Sequence, residues 1–142
     1  MKQRIRFIIN PISGVHKKTD IPGLIEDHLD HSRFDYDLAY SEHRGHAIDI
    51  AKASSRNGFH IICAVGGDGS VHEVGMALIG TKTHLAIIPT GSGNGLARHL
   101  NIPLEVKAAI HCINDDKYIH MDTVKVNEKR FLGVGGYGFD AV

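Results

Sequence analysis

Residues 59–80 read FHIICAVGGDGSVHEVGMALIG, and this stretch decides the fold class that the sequence predicts. FHIICAV (59–65) is mainly apolar and predicts a buried strand, while SVHEVGMALIG (70–80) has the apolar spacing of a helix. Between the two lies GGDGS (66–70). Glycines at a strand-to-helix turn leave backbone N–H groups open to a ligand, and the helix amino terminus favours negative charge. The stretch therefore predicts a phosphate-binding turn at the end of a strand.

The same alternation of strand and helix runs along most of the chain. The pattern predicts strands over 4–10, 34–40, 59–65 and 84–89, and helices over 20–32, 46–58, 70–80, 92–100 and 103–114. Four strand-then-helix units predict an α/β domain over 1–117, built on an open, mainly parallel sheet with helices on both faces. Two β-rich runs joined at NEK (127–129) then predict a hairpin, and with it a second, β-rich domain over 118–142.

Two further glycine-bearing turns, NPISG (10–14) and PTGSGNG (89–95), also follow predicted strands. Ligands of open α/β sheets bind outside the carboxyl ends of the strands, so the three turns are expected to form one site. Ser13, Ser70 and Ser92 offer hydroxyl groups that could each cap a helix or donate to a phosphate oxygen.

Asp68 places a carboxylate among these amide groups. Such a carboxylate suits a residue that holds Mg²⁺ or takes a proton from an attacking hydroxyl. The alternative is that Asp68 caps the helix that follows it. Glu73 is expected to favour the start of that helix, and Arg98 either to neutralise phosphate charge or to lie on a helix surface.

Composition limits the possible partners and compartment. Lys plus Arg (16) equals Asp plus Glu (16), so no global basic field for nucleic acid is expected. Cys63 and Cys112 lie in apolar surroundings, which predicts free core thiols and a cytoplasmic protein. The absence of a long apolar run predicts no transmembrane segment, so membrane contact is expected to be peripheral. The eleven histidines are scattered, which does not favour a dedicated zinc site.

Two better-known glycine motifs do not explain the turns. GxxxxGK[ST], the Walker A phosphate loop of P-loop nucleoside triphosphatases, is absent from the sequence. GVGGYG (133–138) matches GxGxxG, but neither a helix-forming stretch nor an acidic residue about twenty positions on follows it. We interpret GVGGYG as the end of a glycine-rich hairpin.

Three motifs in order, NPISG, GGDGSVHEV and IPTGSGNGLARHL, resemble the catalytic domain of the diacylglycerol kinase family, which includes bacterial lipid kinases and sphingosine and ceramide kinases. GGDG alone is shared with NAD kinases and phosphofructokinases, whereas PxGSxN followed by LAR is specific. The resemblance implies that the α/β domain binds ATP with Mg²⁺. It also implies that the γ-phosphate is transferred to a hydroxyl of a diacylglycerol- or sphingoid-type lipid at the membrane surface.

The resemblance also assigns residues. It implies that Asp68 is catalytic and that Asp68 and Asp122 hold metal, whereas Gly95 stands where many bacterial relatives have a third aspartate. The nucleotide contacts that it implies are Asn10, Pro11, Ile12, Ser13, Gly14, Ser41, Gly66, Gly67, Asp68, Gly69, Ser70, Val71, His72, Ser92 and Asn94.

Family members are longer than this chain, which predicts that the chain is part of a larger protein and is inactive as a lipid kinase on its own. Strands in 118–142 are expected either to pair with a second copy, giving a homodimer, or to be poorly ordered. Two other functions stay open at this point. One is a kinase of a soluble substrate, similar to NAD kinase, and the other is a nucleotide-binding module without catalysis.

Overall fold

A computed structural model describes residues 1–12, 19–121 and 124–128, and its elements form one six-stranded sheet with five helices. The strand order is β2-β1-β3-β4-β6-β5, and every neighbouring pair is parallel except β5 with β6. The elements in chain order are β1 (Gln3–Ile9), α1 (Ile21–His28), β2 (Phe34–Tyr40), α2 (His46–Arg56), β3 (Ile61–Gly66), α3 (Asp68–Leu78), β4 (His84–Pro89), α4 (Gly95–His99), α5 (Val106–Asn114), β5 (Tyr118–Met121) and β6 (Val124–Asn127). The predicted mainly parallel sheet is confirmed.

Helices cover both faces of this sheet, as predicted. The chain moves outward from β1 to β2 through α1, and then back across β1 to β3 through α2. Right-handed crossovers in opposite directions place the two helices on opposite faces. Accordingly, α1 packs against α5, and α2 packs against α3. Every residue of β3 is buried, as a central parallel strand requires. Within the described ranges, no helix is long and apolar enough to cross a bilayer.

Residues that typically begin or end helices lie at the ends of α1 and α2. Asp20 caps α1, because its side chain accepts a hydrogen bond from the Gly23 N–H (3.1 Å). Gly58, just past the end of α2, has a φ of 87°, which favours glycine. Helix α3 begins at Asp68, two residues before the predicted start. Asp68 and Gly69 therefore belong to the first turn of the helix rather than to the preceding loop.

The first β-rich run predicted after residue 117 contains a strand break. Strands β5 and β6 pair antiparallel with Met121 opposite Val124, whereas the turn predicted at 127–129 extends outside the described residues. Ile119 and Met121 are buried and odd-numbered, whereas Val124 and Val126 are buried and even-numbered. Because side chains alternate between the two faces of a strand, one continuous strand could not bury both pairs on the same face. The hairpin joins the same sheet, because β6 pairs with β4. The second domain stays a prediction, and residues 129–142, onto which most of it falls, lie outside the described residues.

Both cysteines are buried and neither forms a disulfide, as predicted from their apolar surroundings. Burial raises the pKa of the Cys63 thiol well above its ordinary value, so the reactive thiolate is suppressed. We expect the native protein to resist a thiol reagent at about pH 8 and to react at both cysteines once unfolded. Labelling with and without denaturant, read by intact mass, measures this. Full labelling of the native protein would contradict the burial described here.

Candidate functional site

A cleft lies at the switch point of the sheet. After β1 the chain runs outward to β2, whereas after β3 it runs in the other direction to β4. The helices that follow these two neighbouring strands, α1 and α3, therefore lie on opposite faces of the sheet. The Asn10 N–H donates to the Val65 carbonyl (3.0 Å) and joins the two strand ends. A cleft of about 350 Å³ opens above them, lined by residues from three segments, 10–12, 40–47 and 69–73. Its volume lies in the range of small-molecule sites.

The turn after β1 forms one wall. The Asn10 side chain accepts a hydrogen bond from the Ile12 N–H (3.2 Å), so Asn10 fixes this turn. Pro11 and Ile12 complete the described part of the wall. Ser13 and Gly14, predicted to contact the nucleotide, lie outside the described residues.

The amino terminus of α3 forms the floor. The N–H groups of Asp68, Gly69 and Ser70 start this helix and have no acceptor within it, and Gly67 at the N-cap provides no side-chain bond. A Cβ added to Gly69 would meet no heavy atom within 4 Å, so the space over this turn is open. Free amides below open space are the arrangement in which a helix terminus binds phosphate.

Two predicted contacts on α3 are placed away from the cleft lining. The Val71 side chain is buried in the core, and the Val71 N–H donates to the Gly67 carbonyl (3.1 Å). His72 is exposed on the helix but does not line the cleft. The cleft is reached instead by Gly69, Ser70 and Glu73.

The loop after β2 forms the opposite wall and is tied to both other segments. The Ser41 N–H donates to the Ile9 carbonyl (3.0 Å), and the Gly45 N–H donates to the Glu73 carboxylate (3.1 Å). Glu73 therefore positions this wall, a role that sequence analysis missed because its partner is 28 positions away. Arg44, an exposed cation in the wall, was also missed.

The third glycine turn supports the floor and does not line the cleft. A Cβ on Gly91 would lie 2.5 Å from the Gly67 Cα, so the two turns pack backbone against backbone. Asn94 has a φ of 55°, and its side chain accepts from the Gly91 N–H (3.1 Å) and donates to the Gly91 carbonyl (2.8 Å). Ser92 is exposed on this turn, and Arg98 donates from Nε to the Gly93 carbonyl (2.8 Å).

Asp68 joins the floor to the third turn. Its Oδ1 accepts a hydrogen bond from the Gly95 N–H (2.6 Å), at the first residue of α4. Helix α3 receives no side-chain cap, so the alternative in which Asp68 caps its own helix is wrong. The carboxylate stabilises the start of α4 instead, and it remains exposed to solvent.

The donors available to a metal ion are few. Within residues 1–12, 19–121 and 124–128, no group of three or more His, Cys, Asp or Glu side chains is placed to hold a metal. Asp122, the second predicted metal ligand, lies outside this part of the chain. Mg²⁺ at phosphate sites usually takes one or two carboxylates, with phosphate oxygens and water as its other ligands. Exposed Asp68 fits that limited requirement.

Fold and cleft together define a class of protein, an open α/β domain with a ligand site at the switch point of its sheet. A sequence profile of the diacylglycerol kinase catalytic domain matches residues 4–126. The chain belongs to this family.

Relatives in sequence agree with this assignment, and a solved structure shares the fold. The chain is 32% identical to a diacylglycerol kinase of Staphylococcus saprophyticus over 97% of its own length and 46% of that protein. It is also 32% identical to a diacylglycerol kinase of Staphylococcus haemolyticus, of which it covers 42%. A crystal structure of a diacylglycerol kinase from Bacillus anthracis superposes with a TM-score of 0.69 at 24% identity, over 82% of this chain and 40% of the other. The chain thus spans less than half of each of these relatives.

Proposed function

We propose that this chain is the nucleotide-binding part of an ATP-dependent lipid kinase. The observation that carries the proposal is the open space over Gly69, at the amino terminus of α3, where Gly69 and Ser70 line the switch-point cleft in a member of the diacylglycerol kinase catalytic family. A glycine with no neighbour to accommodate is unexplained by packing within the described residues. It is explained by a ligand that must approach the backbone closely.

Some residues of the cleft would contact the phosphates, and others position its walls. The N–H groups of Gly69 and Ser70 and the Ser70 hydroxyl donate to phosphate oxygens, and Arg44 on the wall balances part of their charge. Asn10 and Ser41 hold the two walls at the correct separation. Phosphoryl transfer depends mainly on such positioning and on charge stabilisation, so a short list of groups is sufficient.

Asp68 is the residue that would hold Mg²⁺ together with the phosphates. The bound cation would neutralise charge on the phosphate oxygens. Because Oδ1 already accepts from Gly95, the position of the carboxylate is fixed before ligand arrives. The same carboxylate is the candidate to accept the proton of the attacking hydroxyl.

For the acceptor, we propose a lipid hydroxyl, with diacylglycerol first because the matched relatives bear that name. Gly95 and the VHEV sequence of α3 resemble the sphingosine and ceramide kinase branch, which makes a sphingoid base the second candidate. The lipid would be met at the inner face of the membrane by a peripheral, cytoplasmic protein. Strand β5, at the edge of the sheet, is the surface through which a homodimer would form.

Filling the space over Gly69 tests the nucleotide site. We expect Gly69→Val to weaken Mg·ATP binding at least about tenfold, because its side chain would occupy the phosphate position over the helix amino terminus. The melting temperature should change by only about 2 °C, since the added side chain meets no neighbour. Calorimetric titration and thermal melting give the two values.

Lys107→Val is the matched control. Lys107 is exposed at the second position of α5, as Gly69 is at the second position of α3, and it lies outside the cleft. It also places a β-branched residue at the second position of a helix, but without touching the site. Equal ATP affinity in the wild type and both variants would contradict the proposed site. A lipid phosphorylation assay of the full-length protein, with diacylglycerol and sphingosine offered separately, tests the acceptor.

A further inference from the structure

The third glycine turn is flexible by composition, and Arg98 is one of the residues that fix it. Three of the five residues in GSGNG (91–95) are glycines, which have the greatest backbone freedom of any residue type. Arg98 lies in the last turn of α4, and its Nε–H donates to the Gly93 carbonyl (2.8 Å). Its backbone N–H donates to the Asn94 carbonyl (2.9 Å), so one residue holds two consecutive peptide groups of the turn.

The side chain of Arg98 reaches the turn because of the direction in which helical side chains point. In a helix, the Cα–Cβ bonds tilt toward the amino terminus, so Arg98 extends back over the residues that precede α4. Arg98 is exposed and does not line the cleft. Of the two roles that the sequence allows for it, direct contact with phosphate is therefore not favoured, and its contact with the turn is a third.

Gly93 connects Arg98 to Asp68. A Cβ added to Gly93 would lie 2.8 Å from Asp68 Oδ2, so the backbone at Gly93 lies against one oxygen of the carboxylate. The other oxygen, Oδ1, accepts the hydrogen bond from the Gly95 N–H (2.6 Å). Residues 93–95 thus contact both carboxylate oxygens, and the position of this segment sets the orientation of the carboxylate.

We propose that Arg98 is a positioning residue for Asp68. Arg98 holds the glycine turn, and the turn holds the carboxylate in the orientation that phosphoryl transfer uses. This inference rests on the proposed function, because it explains how the Asp68 carboxylate of that function is oriented. A displacement of about 1 Å in a catalytic group can lower the rate strongly, so a residue that never contacts the reactants can still determine turnover.

Two substitutions of Arg98 separate its hydrogen bond from its charge. Arg98→Gln places an amide nitrogen the same number of bonds from Cα as Nε, so it keeps a donor for the Gly93 carbonyl without the charge. Arg98→Lys keeps the charge but has a carbon atom at that position. Arg98→Ala removes both the donor and the charge.

Steady-state kinetics of the full-length protein test the inference. We expect Arg98→Ala to lower kcat for lipid phosphorylation by about tenfold without changing ATP affinity, because Arg98 lies outside the cleft. Arg98→Gln should recover most of that turnover, whereas Arg98→Lys should not. Arg56→Ala is the control and should match the wild type, since Arg56 is also exposed in the last turn of a helix, α2, and lies outside the cleft.

Amide hydrogen exchange measures the positioning without catalysis. Exchange in the free protein, followed by mass spectrometry on a peptide that covers 91–98, reports whether the turn and the bond from the Gly95 N–H to Asp68 stay formed. We expect exchange to be several-fold faster in Arg98→Ala and Arg98→Lys, and close to the wild-type rate in Arg98→Gln. Thermal melting establishes that each variant is folded.

A double-mutant cycle tests whether Arg98 acts through Asp68. The asparagine of Asp68→Asn has no charge to position, so adding Arg98→Ala to it should lower kcat no further. Losses that multiply in the double variant would show that Arg98 acts elsewhere and would overturn the inference.

The other outcomes separate the inference from the proposed function. If Arg98→Lys keeps its turnover and Arg98→Gln does not, Arg98 acts by its charge and the inference is wrong. Wild-type turnover in Arg98→Ala, together with a loss in Asp68→Asn, also overturns the inference while the proposed function stands. Wild-type turnover in Asp68→Asn removes the role proposed for Asp68, and the inference fails with it.

Discussion

Asp68→Asn in the full-length protein is expected to lower lipid kinase turnover by about a hundredfold or more, with a melting temperature within about 2 °C of the wild type. The asparagine oxygen can still accept the hydrogen bond from the Gly95 N–H, so the link between α3 and α4 is kept. What the substitution removes is the negative charge that would hold Mg²⁺ or accept the proton of the attacking hydroxyl. Steady-state kinetics and thermal melting of the same preparation measure both effects.

Two comparisons make this result specific. Asp68→Ala removes the charge and the hydrogen bond, so it should match Asp68→Asn in activity and lose about 1 kcal/mol more in stability, as the loss of a helix cap does. Asp49→Asn also removes an acidic residue from the first turn of a helix, α2, but outside the cleft, and should leave activity unchanged. Near wild-type turnover in Asp68→Asn would mean that the carboxylate serves only to stabilise α4.

Gly91→Ala is expected to destabilise the fold by about 3 kcal/mol, which lowers the melting temperature by roughly 10 °C for a chain of this size. The new Cβ would lie 2.5 Å from the Gly67 Cα, and because both partners are backbone, neither can rotate away. The two turns must separate, and the floor of the cleft moves with Gly67. ATP affinity should therefore fall together with stability. Differential scanning fluorimetry and ATP titration below the melting transition measure the two losses.

Gly69→Ala is the matched control for this prediction. It adds the same methyl group to the neighbouring turn, but at a position where no heavy atom lies within 4 Å. We expect its stability to equal or slightly exceed that of the wild type, since alanine is the better helix residue. If Gly91→Ala melts like Gly69→Ala, the close packing of the two glycine turns is not a feature of the folded protein.

Much of the fold could be predicted because its signals are local. The bounds predicted for β2 and β4 are those observed, and the helix predicted from residue 20 begins with Asp20 as its N-cap. The first of the two β-rich runs predicted after residue 117 contains two strands, β5 and β6, which the pattern alone did not separate. A two-residue periodicity cannot continue through a change from odd to even buried positions, and that change fixes the strand break between Met121 and Val124.

The candidate site was predictable in its chemistry but less so in its assembly. The glycine turns were found because glycine, serine and aspartate at strand ends are a local signal. The sequence could not show which glycines pack against each other, as Gly67 and Gly91 do, and which has open space beside it, as Gly69 does. The Glu73–Gly45 and Asp68–Gly95 hydrogen bonds join positions 28 and 27 apart, and only the folded chain brings such partners together.

Strand β2 at the outer edge of the sheet has a consequence for how the protein behaves at high concentration. An edge strand has unpaired backbone groups that invite another sheet to add to it. Here, Asp37 forms a two-pronged ion pair with Arg6 (2.7 Å for both bonds), and Asp35 lies 3.6 Å from Lys2. A second copy approaching this edge would have to strip water from both charge pairs, which opposes contact without any cost to folding. Charged side chains on an edge strand are a feature that disfavours edge-to-edge pairing of sheets, and we expect β2 to resist such pairing for this reason.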